Sequence, residues 1–213
     1  MNRRDALDLL DWKRRIFELY AYVRGAEGRD AHRVWCDERD HLFATHPQSP
    51  LPEAERAALD ALDVYEYDDG MRVLGELGPA PEQRLRIPSS RDDEFVVDRI
   101  GRVEFELGGR DAALDVFWVG GYGGGLFLPF RDATSGSQTY GAGRYLYDTI
   151  KGADLGTEDG KLVLDFNFAY NPSCAYDPRW SCPLAPPANL LELAVEAGER
   201  TPRTGAAGHA RTV

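Results

Sequence analysis

The segment LDFNFAYNPSCAYDPRWSCPL, residues 164–184, brings carboxylate, amide, phenol, indole and thiol groups into one short stretch. Its three prolines lack a backbone N–H donor, so a regular strand cannot run through it. A structureless loop of about 20 residues is uncommon in a compact domain and is usually functional. The segment therefore predicts one wall of a small-molecule site, formed by Asp165, Asn167, Tyr170, Asn171, Cys174, Tyr176 and Trp180.

Three side chains of this segment could carry out catalysis. Asp165 or Tyr170 could act as a general acid–base, and Cys174 could act as a nucleophile. Alternation along LVLDFNFAYN, residues 162–171, points Asp165 and Asn167 in the same direction. If this face looks into a barrel, both side chains are buried and need partners, which a ligand or Arg144 could provide. The opposite face is made of leucine and phenylalanine, so we expect the face of Asp165 and Asn167 to be the wetter one.

Cys174 and Cys182 lie eight positions apart and allow four interpretations. As zinc ligands they lack partners, since no CxxC pattern occurs and His32, His41 and His46 fall in the N-terminal region. As a disulfide they would staple the loop, and as packing groups both would be buried and inert. As a nucleophile, one of them would need a positive neighbour to lower its pKa. We predict no metal site, and the other three alternatives stay open.

A second polar loop, FRDATSGSQTYGAGRY at residues 130–145, is rich in hydroxyl groups and glycines. Such a loop could hold a phosphate or carboxylate, with an arginine as a bidentate donor. In the alternative interpretation it is a wide hairpin whose Asp and Thr side chains bond their own backbone. Its G-x-G lacks the strand–turn–helix unit of a dinucleotide fingerprint. The ligand-binding residues predicted in this loop are Asp132, Thr134, Thr139, Tyr140 and Arg144.

Helical periodicity dominates the first 65 residues. Apolar residues recur at spacings of three and four over residues 5–24, and a second helix is predicted over 30–43. HPQSPLP breaks the pattern, and SPLPEAERAALDAL, which begins at Ser49, predicts a short third helix. We expect the core anchors to be Trp12, Trp35 and Trp118, and we expect Trp180 to stack on a ligand.

From residue 71 the apolar period changes to two. Short β-branched and aromatic runs follow one another as far as residue 167, and RVEFELGGRDAALDVFWV predicts a hairpin turning at Gly108-Gly109. Helices followed by strands, without βαβ alternation, predict an α+β, mainly β fold: an antiparallel β-barrel or sandwich with an N-terminal helical arm. We divide the chain into the helical arm 1–65, a β-rich domain 66–200 with the polar site, and a disordered tail 201–213. Residues 189–200 fit either a helix or a strand.

The 213 residues carry a formal charge of −11, and the pI is near 4.8. This balance argues against nucleic acid or an anionic membrane as a partner, because both repel an acidic surface. No apolar run approaches the roughly 20 residues of a membrane span, and the charged N-terminus lacks the apolar core of a secretory signal. An odd count of three cysteines does not suit a disulfide framework, so the protein is predicted to be cytoplasmic.

Four blocks follow one another: GGLFLPFRDATSGSQTYGAGRYLY, LVLDFNFAYNPSCAY, RWSCPLAPPANLL and EAGER. Their order and spacing, over about residues 30–200, resemble domain of unknown function 1684, a family of uncharacterised bacterial and archaeal proteins. Ala188 departs from the acidic residue usual before Asn in that family, whose pattern before AGE favours a strand at 189–200. The resemblance implies no reaction, only a signature: Asp132, Thr134, Gly136, Thr139, Tyr140, Gly143, Arg144, Tyr145, Asp165, Asn167, Tyr170, Asn171, Pro172, Cys174, Tyr176, Cys182, Pro183, Asn189 and Glu199.

Three functions are consistent with these residues. An enzyme would hold a small anionic substrate with Arg144 and act on it with Asp165, Tyr170 or Cys174. A binding module would hold a small ligand in the same pocket without turnover. An interaction protein would use the polar loops as a self-bonded cap and meet a partner, including a second copy of the chain, through the helical arm. We favour the enzyme, expect both polar loops to line one pocket, and identify no cofactor.

Overall fold

The computed structural model describes residues 2–26 and 28–202. Two long helices open the chain, α1 (Arg3–Gly25) and α2 (Gly28–Thr45), and a single turn, α3 (Glu53–Arg56), follows. The prediction of two N-terminal helices is confirmed, whereas the third is one turn instead of the helix predicted from Ser49 onward. No helix in the described ranges is both long enough and apolar enough to cross a bilayer.

The helices and the sheet share one hydrophobic core. Ile16, Leu19, Tyr20 and Val23 line the inner face of α1, and Trp35 of α2 is completely buried, as predicted. The Trp35 indole N–H lies 3.3 Å from the Tyr20 hydroxyl, so this buried donor has a partner. Truncating a buried Trp to Ala typically costs about 3–5 kcal/mol, so Trp35 holds α2 firmly in place. The strand residues of this core include Val103, Phe105, Leu114, Val116, Leu164 and Phe166.

Eight strands follow the helices in the described part of the chain: β1 (Arg72–Gly78), β2 (Gln83–Pro88), β3 (Glu94–Leu107), β4 (Arg110–Val119), β5 (Gly125–Phe130), β6 (Arg144–Asp148), β7 (Thr157–Glu158) and β8 (Lys161–Asp165). They form one antiparallel sheet in the order β6-β5-β4-β3-β1-β8-β7, with β2 beside β3. The sheet curls into a half-barrel. This confirms the predicted class, a mainly β antiparallel fold with an N-terminal helical arm.

β3 and β4 form the predicted hairpin. Gly108 and Gly109 have φ of 59° and 73°, the positive values that a tight two-residue turn requires. β3 is one continuous strand of 14 residues, in which Ile100 is inserted as a bulge. The prediction of Trp118 as a core anchor was wrong: this residue of β4 is 42% exposed. Trp12 is partly buried against the core.

β1 connects two parts of the sheet. Its residues 72–75 pair with β8, and its residues 76–78 pair with β3. Gly75 lies where the two pairings meet, and a Cβ there would lie 2.3 Å from Val103 and 2.7 Å from Leu164. The missing side chain lets β1 pass between the two strands. The same pairing places Arg72 of β1 opposite Asp165 at the end of β8.

The segment 189–200 is neither the helix nor the strand predicted for it. A 3-10 turn covers Pro187–Asn189, and irregular chain follows that meets other segments through the isolated bridges of Leu190 and Glu199. Several of its carbonyls accept hydrogen bonds from side chains, so the usual strand ladder is replaced by long-range contacts. Residues 203–213 of the predicted disordered tail lie outside the described residues.

Candidate functional site

The two polar loops predicted from the sequence lie against each other. The backbones of Tyr145 and Tyr170 exchange two hydrogen bonds, at 2.9 and 3.0 Å, and so join the end of one loop to the start of the other. The Tyr140 hydroxyl lies 3.8 Å from the Cys174 sulfur in the same contact. Burial raises the pKa of Tyr170 well above its usual value, so its hydroxyl keeps its proton at neutral pH.

Arg144, which was predicted to hold an anionic ligand, binds the C-terminal segment of its own chain. Its Nη2 lies 2.9 Å from the Asp132 carboxylate and 2.9 Å from the Val195 carbonyl. Its Nη1 donates to the carbonyls of Ala197 and Glu199. The side chains of Arg144 and Asp132 are both buried; burial lowers the pKa of Arg144, and Asp132 opposes this shift. Arg144 therefore anchors an irregular stretch of chain.

The other polar groups of the first loop also bond one another. Asp132 Oδ1 accepts hydrogen bonds from the Thr134 N–H and the Thr134 hydroxyl, at 2.8 and 2.5 Å. The hydroxyls of Thr134 and Thr139 lie 2.8 Å apart, and both residues are buried. This geometry matches the alternative interpretation of the sequence, in which Asp and Thr side chains stabilise their own loop.

A second buried ion pair, between Arg39 of α2 and Glu199, joins the helical arm to the C-terminal segment. One Glu199 oxygen accepts hydrogen bonds from the Arg39 guanidinium. The other accepts from the Asn171 N–H and the Tyr176 hydroxyl, each at 2.7 Å. Burial acts to lower the pKa of Arg39, but the Glu199 carboxylate together with the nearby Tyr176 and Tyr20 outweighs burial, and the net shift is upward. The guanidinium also lies over the Trp35 ring, 4.8 Å from its centroid.

Two more side chains predicted to contact a ligand are bonded within the protein. Asn171 Nδ2 donates to the Arg200 carbonyl at 2.7 Å, while its buried Oδ1 has no hydrogen-bond partner among the described residues. The Trp180 indole N–H donates to the Pro50 carbonyl at 3.1 Å, and the Arg179 guanidinium lies 4.9 Å from the Trp180 ring centroid. Trp180 therefore ties the second loop to the chain that follows α2.

Asp165 and Asn167 are buried, although alternation placed them on the wetter face. β8 ends at Asp165, and a 3-10 turn over Phe166–Phe168 then carries the chain into the interior. Asn167 binds the Asp68 backbone through Oδ1 and Nδ2, at 2.9 and 2.8 Å. Its Nδ2 and its backbone N–H also donate to Asp165 Oδ1, at 2.8 and 3.1 Å. Asn167 thus orients the Asp165 carboxyl.

Asp165 borders a cavity of about 300 Å³ between the helical arm and strands β1, β7 and β8, here called the Asp165 cavity. Only 3% of Asp165 is exposed, and burial raises the pKa of its carboxyl to about 6. Oδ1 is bound by Asn167, and Oδ2 accepts no hydrogen bond from the described residues. The other lining residues are Val23, Arg24, Ala26, Gly28, Ala31, Arg72, Leu155, Gly156, Thr157, Glu158, Val163 and Phe168.

A wider depression of about 880 Å³ lies over β1, β3 and β4. Acidic and basic side chains are mixed in it, and its Arg102 is already bound to Asp115 at 2.8 Å. None of the site residues predicted from the sequence lines this depression. The Asp165 cavity is therefore the better candidate site, since it combines enclosure with a predicted residue.

Cys174 and Cys182 are free thiols that lie next to each other. The Cys174 N–H donates to the Cys182 sulfur at 3.4 Å. The neighbouring Cys182 thiol lowers the pKa of Cys174 the most, Ser90 and Tyr140 act in the same direction, and burial opposes them. The neighbouring Cys174 side chain and burial raise the pKa of Cys182, although the Lys151 charge opposes the shift. Within residues 2–26 and 28–202, no group of three or more His, Cys, Asp or Glu side chains could hold a metal ion.

Sequence reasoning missed three arginines that structure these sites: Arg24, Arg39 and Arg72. Arg72 lies opposite Asp165 in the sheet, and Arg39 binds a carboxylate 160 positions away. Pairing β1 with β8 would have pointed to Arg72, but nothing in a single sequence says that these two strands are neighbours. The strand pairing itself is the signal that was lacking.

The fold and the site define a mainly β protein in which buried ion pairs tie a helical arm and an irregular C-terminal segment to a curled sheet. Residues 57–200 match a family described as protein of unknown function (DUF1684), and the chain belongs to that family. The resemblance stated from the sequence is thereby confirmed. The family match begins at residue 57, after the helices, whereas the resemblance was expected from about residue 30.

The chain is also similar to a solved structure, the solution NMR structure of the uncharacterized protein from gene locus rrnAC0354 of Haloarcula marismortui. The two sequences are 35% identical, and the similarity covers 79% of this chain and 91% of that one, with a TM-score of 0.55. The shared fold therefore extends over most of both proteins. No curated protein matches this chain.

Proposed function

We propose that the protein binds a small molecule with an anionic group in the Asp165 cavity, and that Asp165 exchanges a proton with it as the general acid–base of an enzyme. One observation carries the proposal: Asp165 is almost fully buried beside a cavity, yet its Oδ2 accepts no hydrogen bond from the described residues. A carboxyl oxygen that borders a cavity and has no protein partner can accept a hydrogen bond from a bound ligand.

The protonation of Asp165 supports this role. A carboxyl with a pKa of about 6 passes readily between its acid and base forms near neutral pH, as efficient proton transfer requires. Carboxyl groups perturbed in this way are enriched at functional sites. Tyr170 and Cys174, the other residues predicted to be catalytic, do not line the cavity. The proposal therefore assigns the proton transfer to Asp165 alone.

Two arginines would hold the anionic group. Arg24 donates to the Asp154 carbonyl at 2.7 Å, and Arg72 donates to Glu158 at 2.6 Å. A guanidinium carries five N–H donors, so both keep donors for a carboxylate or phosphate. A volume of about 300 Å³ lies at the small end of ligand sites. The apolar body of such a ligand would pack on Val23, Ala31, Leu155, Val163 and Phe168.

We expect Asp165→Asn to weaken ligand binding about tenfold or more, because the ligand loses a hydrogen bond to an ionisable group. A panel of small carboxylates and phosphates, screened by thermal shift, identifies binders of the wild-type protein. Isothermal titration then compares wild type with Asp165→Asn and Arg72→Gln. Asp111→Asn is the matched control, because Asp111 is an exposed carboxylate that lines only the wider depression.

Affinity that is equal in wild type and Asp165→Asn would contradict the proposed site. A panel without any binder would contradict the proposed ligand class. NMR of a confirmed binder incubated with the protein separates the two related functions. Conversion that Asp165→Asn slows by a factor of about 10²–10⁴ indicates general acid–base catalysis, whereas an unchanged ligand indicates a binding module.

Asp165→Asn is also expected to stabilise the unliganded protein at neutral pH, by about 1–3 kcal/mol. The folded pKa, about 6, lies above the usual aspartate value, so the folded state binds more protons than the unfolded state between the two. The stabilisation that this proton provides is complete below about pH 4 and is lost as the pH rises to about 6. Urea unfolding of both proteins from pH 4 to 7 should therefore show an increasing advantage for the variant. A pH-independent difference would contradict the raised pKa.

A structural role is the second candidate function for the first polar loop. We propose it for Asp132, Thr134, Thr139 and Arg144 because their polar groups bond one another and the C-terminal segment. This is the self-bonded cap of an interaction protein. Homo-oligomerisation through the helical arm stays a prediction, which light scattering over a concentration series would measure. Residues that such an interface could cover are the exposed Leu7, Leu10 and Phe17 of α1.

A further inference from the structure

We propose that Cys174 and Cys182 form a peroxide-reactive thiol pair, in which a hydroperoxide oxidises Cys174 and Cys182 then closes a disulfide. Neither cysteine lines the Asp165 cavity, so this inference is independent of the proposed function. It rests on how the two sulfurs are held and on the polar groups that face them.

The chain around Cys182 is fixed against the turn that joins β2 to β3. The Cys182 N–H donates to the Ser90 hydroxyl at 3.1 Å, and the Ser90 N–H donates to the Cys182 carbonyl at 2.9 Å. Cys174 lies in the 3-10 turn Ser173–Ala175, and its N–H points at the Cys182 sulfur, 3.4 Å away. The Cys182 sulfur therefore lies against Cys174 before any bond between them forms, which is the proximity that a disulfide requires.

The groups around the two sulfurs shift their pKa values in opposite directions. The neighbouring Cys182 thiol lowers the pKa of Cys174 the most, and Ser90 and Tyr140, whose hydroxyl lies 3.8 Å from the Cys174 sulfur, act in the same direction. Cys182 is the donor in the shared hydrogen bond and keeps its proton. A stabilised thiolate beside a protonated second thiol is the arrangement of cysteines that react with peroxides and are then resolved.

The oxidation takes place in two steps between the hydroperoxide and the two thiols. The Cys174 thiolate attacks one oxygen of the hydroperoxide, an S–O bond forms, the O–O bond breaks, and the departing alkoxide or hydroxide takes a proton from water. The Cys182 sulfur then attacks the Cys174 sulfenic acid, the S–S bond forms, and the hydroxyl group leaves as water with the Cys182 proton. Two thiols lose two electrons in total, and the peroxide gains them. An external thiol or dithiol reverses the disulfide by exchange.

Access limits the class of oxidant. Cys174 and Cys182 are 8% and 3% exposed, so a bulky disulfide would not reach them without opening of the loop. Hydrogen peroxide and short alkyl hydroperoxides are small enough to approach a sulfur that is nearly covered. Cys36 provides an internal comparison within the same chain, because burial raises its pKa to about 12. A buried thiol without thiolate character reacts slowly with peroxide.

The test uses the full reduced chain and hydrogen peroxide as the probe. After the reaction the protein is denatured, and a maleimide alkylates the thiols that the peroxide has not oxidised. We expect intact mass and peptide mapping to show a Cys174–Cys182 disulfide at peroxide concentrations that leave Cys36 fully alkylated. Addition of a dithiol should restore three alkylated cysteines. If Cys174 and Cys182 remain reduced, and are therefore alkylated, to the same extent as Cys36, the proposal is overturned. This measurement requires no variant.

Variants then assign the two roles. In Cys182→Ser the sulfenic acid of Cys174 should persist and react with a cyclic 1,3-diketone probe, whereas Cys174→Ser should show no labelling. Tyr140→Phe should slow oxidation about fivefold, because one hydrogen bond to the thiolate is lost. Tyr122→Phe is the matched control, since Tyr122 is fully exposed in the turn between β4 and β5. Labelling of Cys182 in place of Cys174, or equal rates for the two Tyr variants, would contradict the assignment.

Discussion

Glu199→Gln is expected to lower the free energy of unfolding by about 3–5 kcal/mol. Glu199 is the sole carboxylate bound to the buried Arg39 in the described ranges, and it also accepts hydrogen bonds from Asn171 and Tyr176. Neutralising it leaves the Arg39 charge in the interior without a counter-charge, and the cost of an uncompensated buried charge is large. Water cannot readily take its place, because Arg39 is enclosed by aromatic rings.

Chemical denaturation at neutral pH measures this loss. Asp98→Asn is the matched control, because Asp98 binds Arg84 at 2.8 Å but the pair lies in solvent, with side chains 38% and 73% exposed. Such a surface pair contributes less than about 1 kcal/mol. The double variant Arg39→Met, Glu199→Gln should be more stable than the sum of its single variants predicts, because it removes both charges together. Equal losses for Glu199→Gln and Asp98→Asn would show that Arg39 is not isolated from water.

Arg144→Met is expected to destabilise the protein by a similar amount, about 3–5 kcal/mol. The substitution leaves the Asp132 carboxylate buried without its counter-charge. It also removes the donors for the carbonyls of Val195, Ala197 and Glu199, which hold the C-terminal segment on the sheet. Unsatisfied buried acceptors add to the cost of the unpaired charge.

Arg144→Lys should recover only part of this loss, because a single ammonium cannot reproduce the planar fork of donors that reaches both Asp132 and the C-terminal segment. Arg86→Met is the matched control, since Arg86 forms an exposed pair with Glu94. Urea unfolding gives the stability, and limited proteolysis shows whether residues 189–202 detach first. A small change in stability, accompanied by weaker binding of small carboxylates, would contradict the structural role and restore the ligand-binding role predicted from the sequence.

Local patterns were sufficient for the elements whose stability comes from near neighbours. The spacing of apolar residues over 5–24 predicted α1 because side chains three and four positions apart share one face of a helix. Gly108-Gly109 predicted the β3–β4 hairpin because two positive φ values are needed in its turn. The order of helices before strands predicted the fold class, and four ordered blocks indicated the family.

The same local patterns failed where the partners are far apart in the sequence. The apolar residues of segment 189–200 do not select helix or strand. In the folded chain several of its carbonyls bind Arg144 of β6 instead of a helix or strand neighbour. Asp165 was expected on a wet face, but alternation stops at the 3-10 turn after β8 and the helical arm covers the site. Neither the conformation of segment 189–200 nor the burial of Asp165 can be predicted from the residues next to it in the sequence.

The sequence therefore identified the polar residues of this protein, and the packing of the whole chain decided what each of them does. Arg144 and Asp165 are both polar loop or strand-end residues in the same family signature. In the folded chain both terminal nitrogens of Arg144 bind carbonyls or a carboxylate, and its Nε is buried without a hydrogen-bond partner in the described ranges. Asp165, in contrast, keeps one oxygen beside a cavity. Whether a buried polar group is satisfied depends on segments brought together only by tertiary folding, so its role cannot be derived from residue type and spacing.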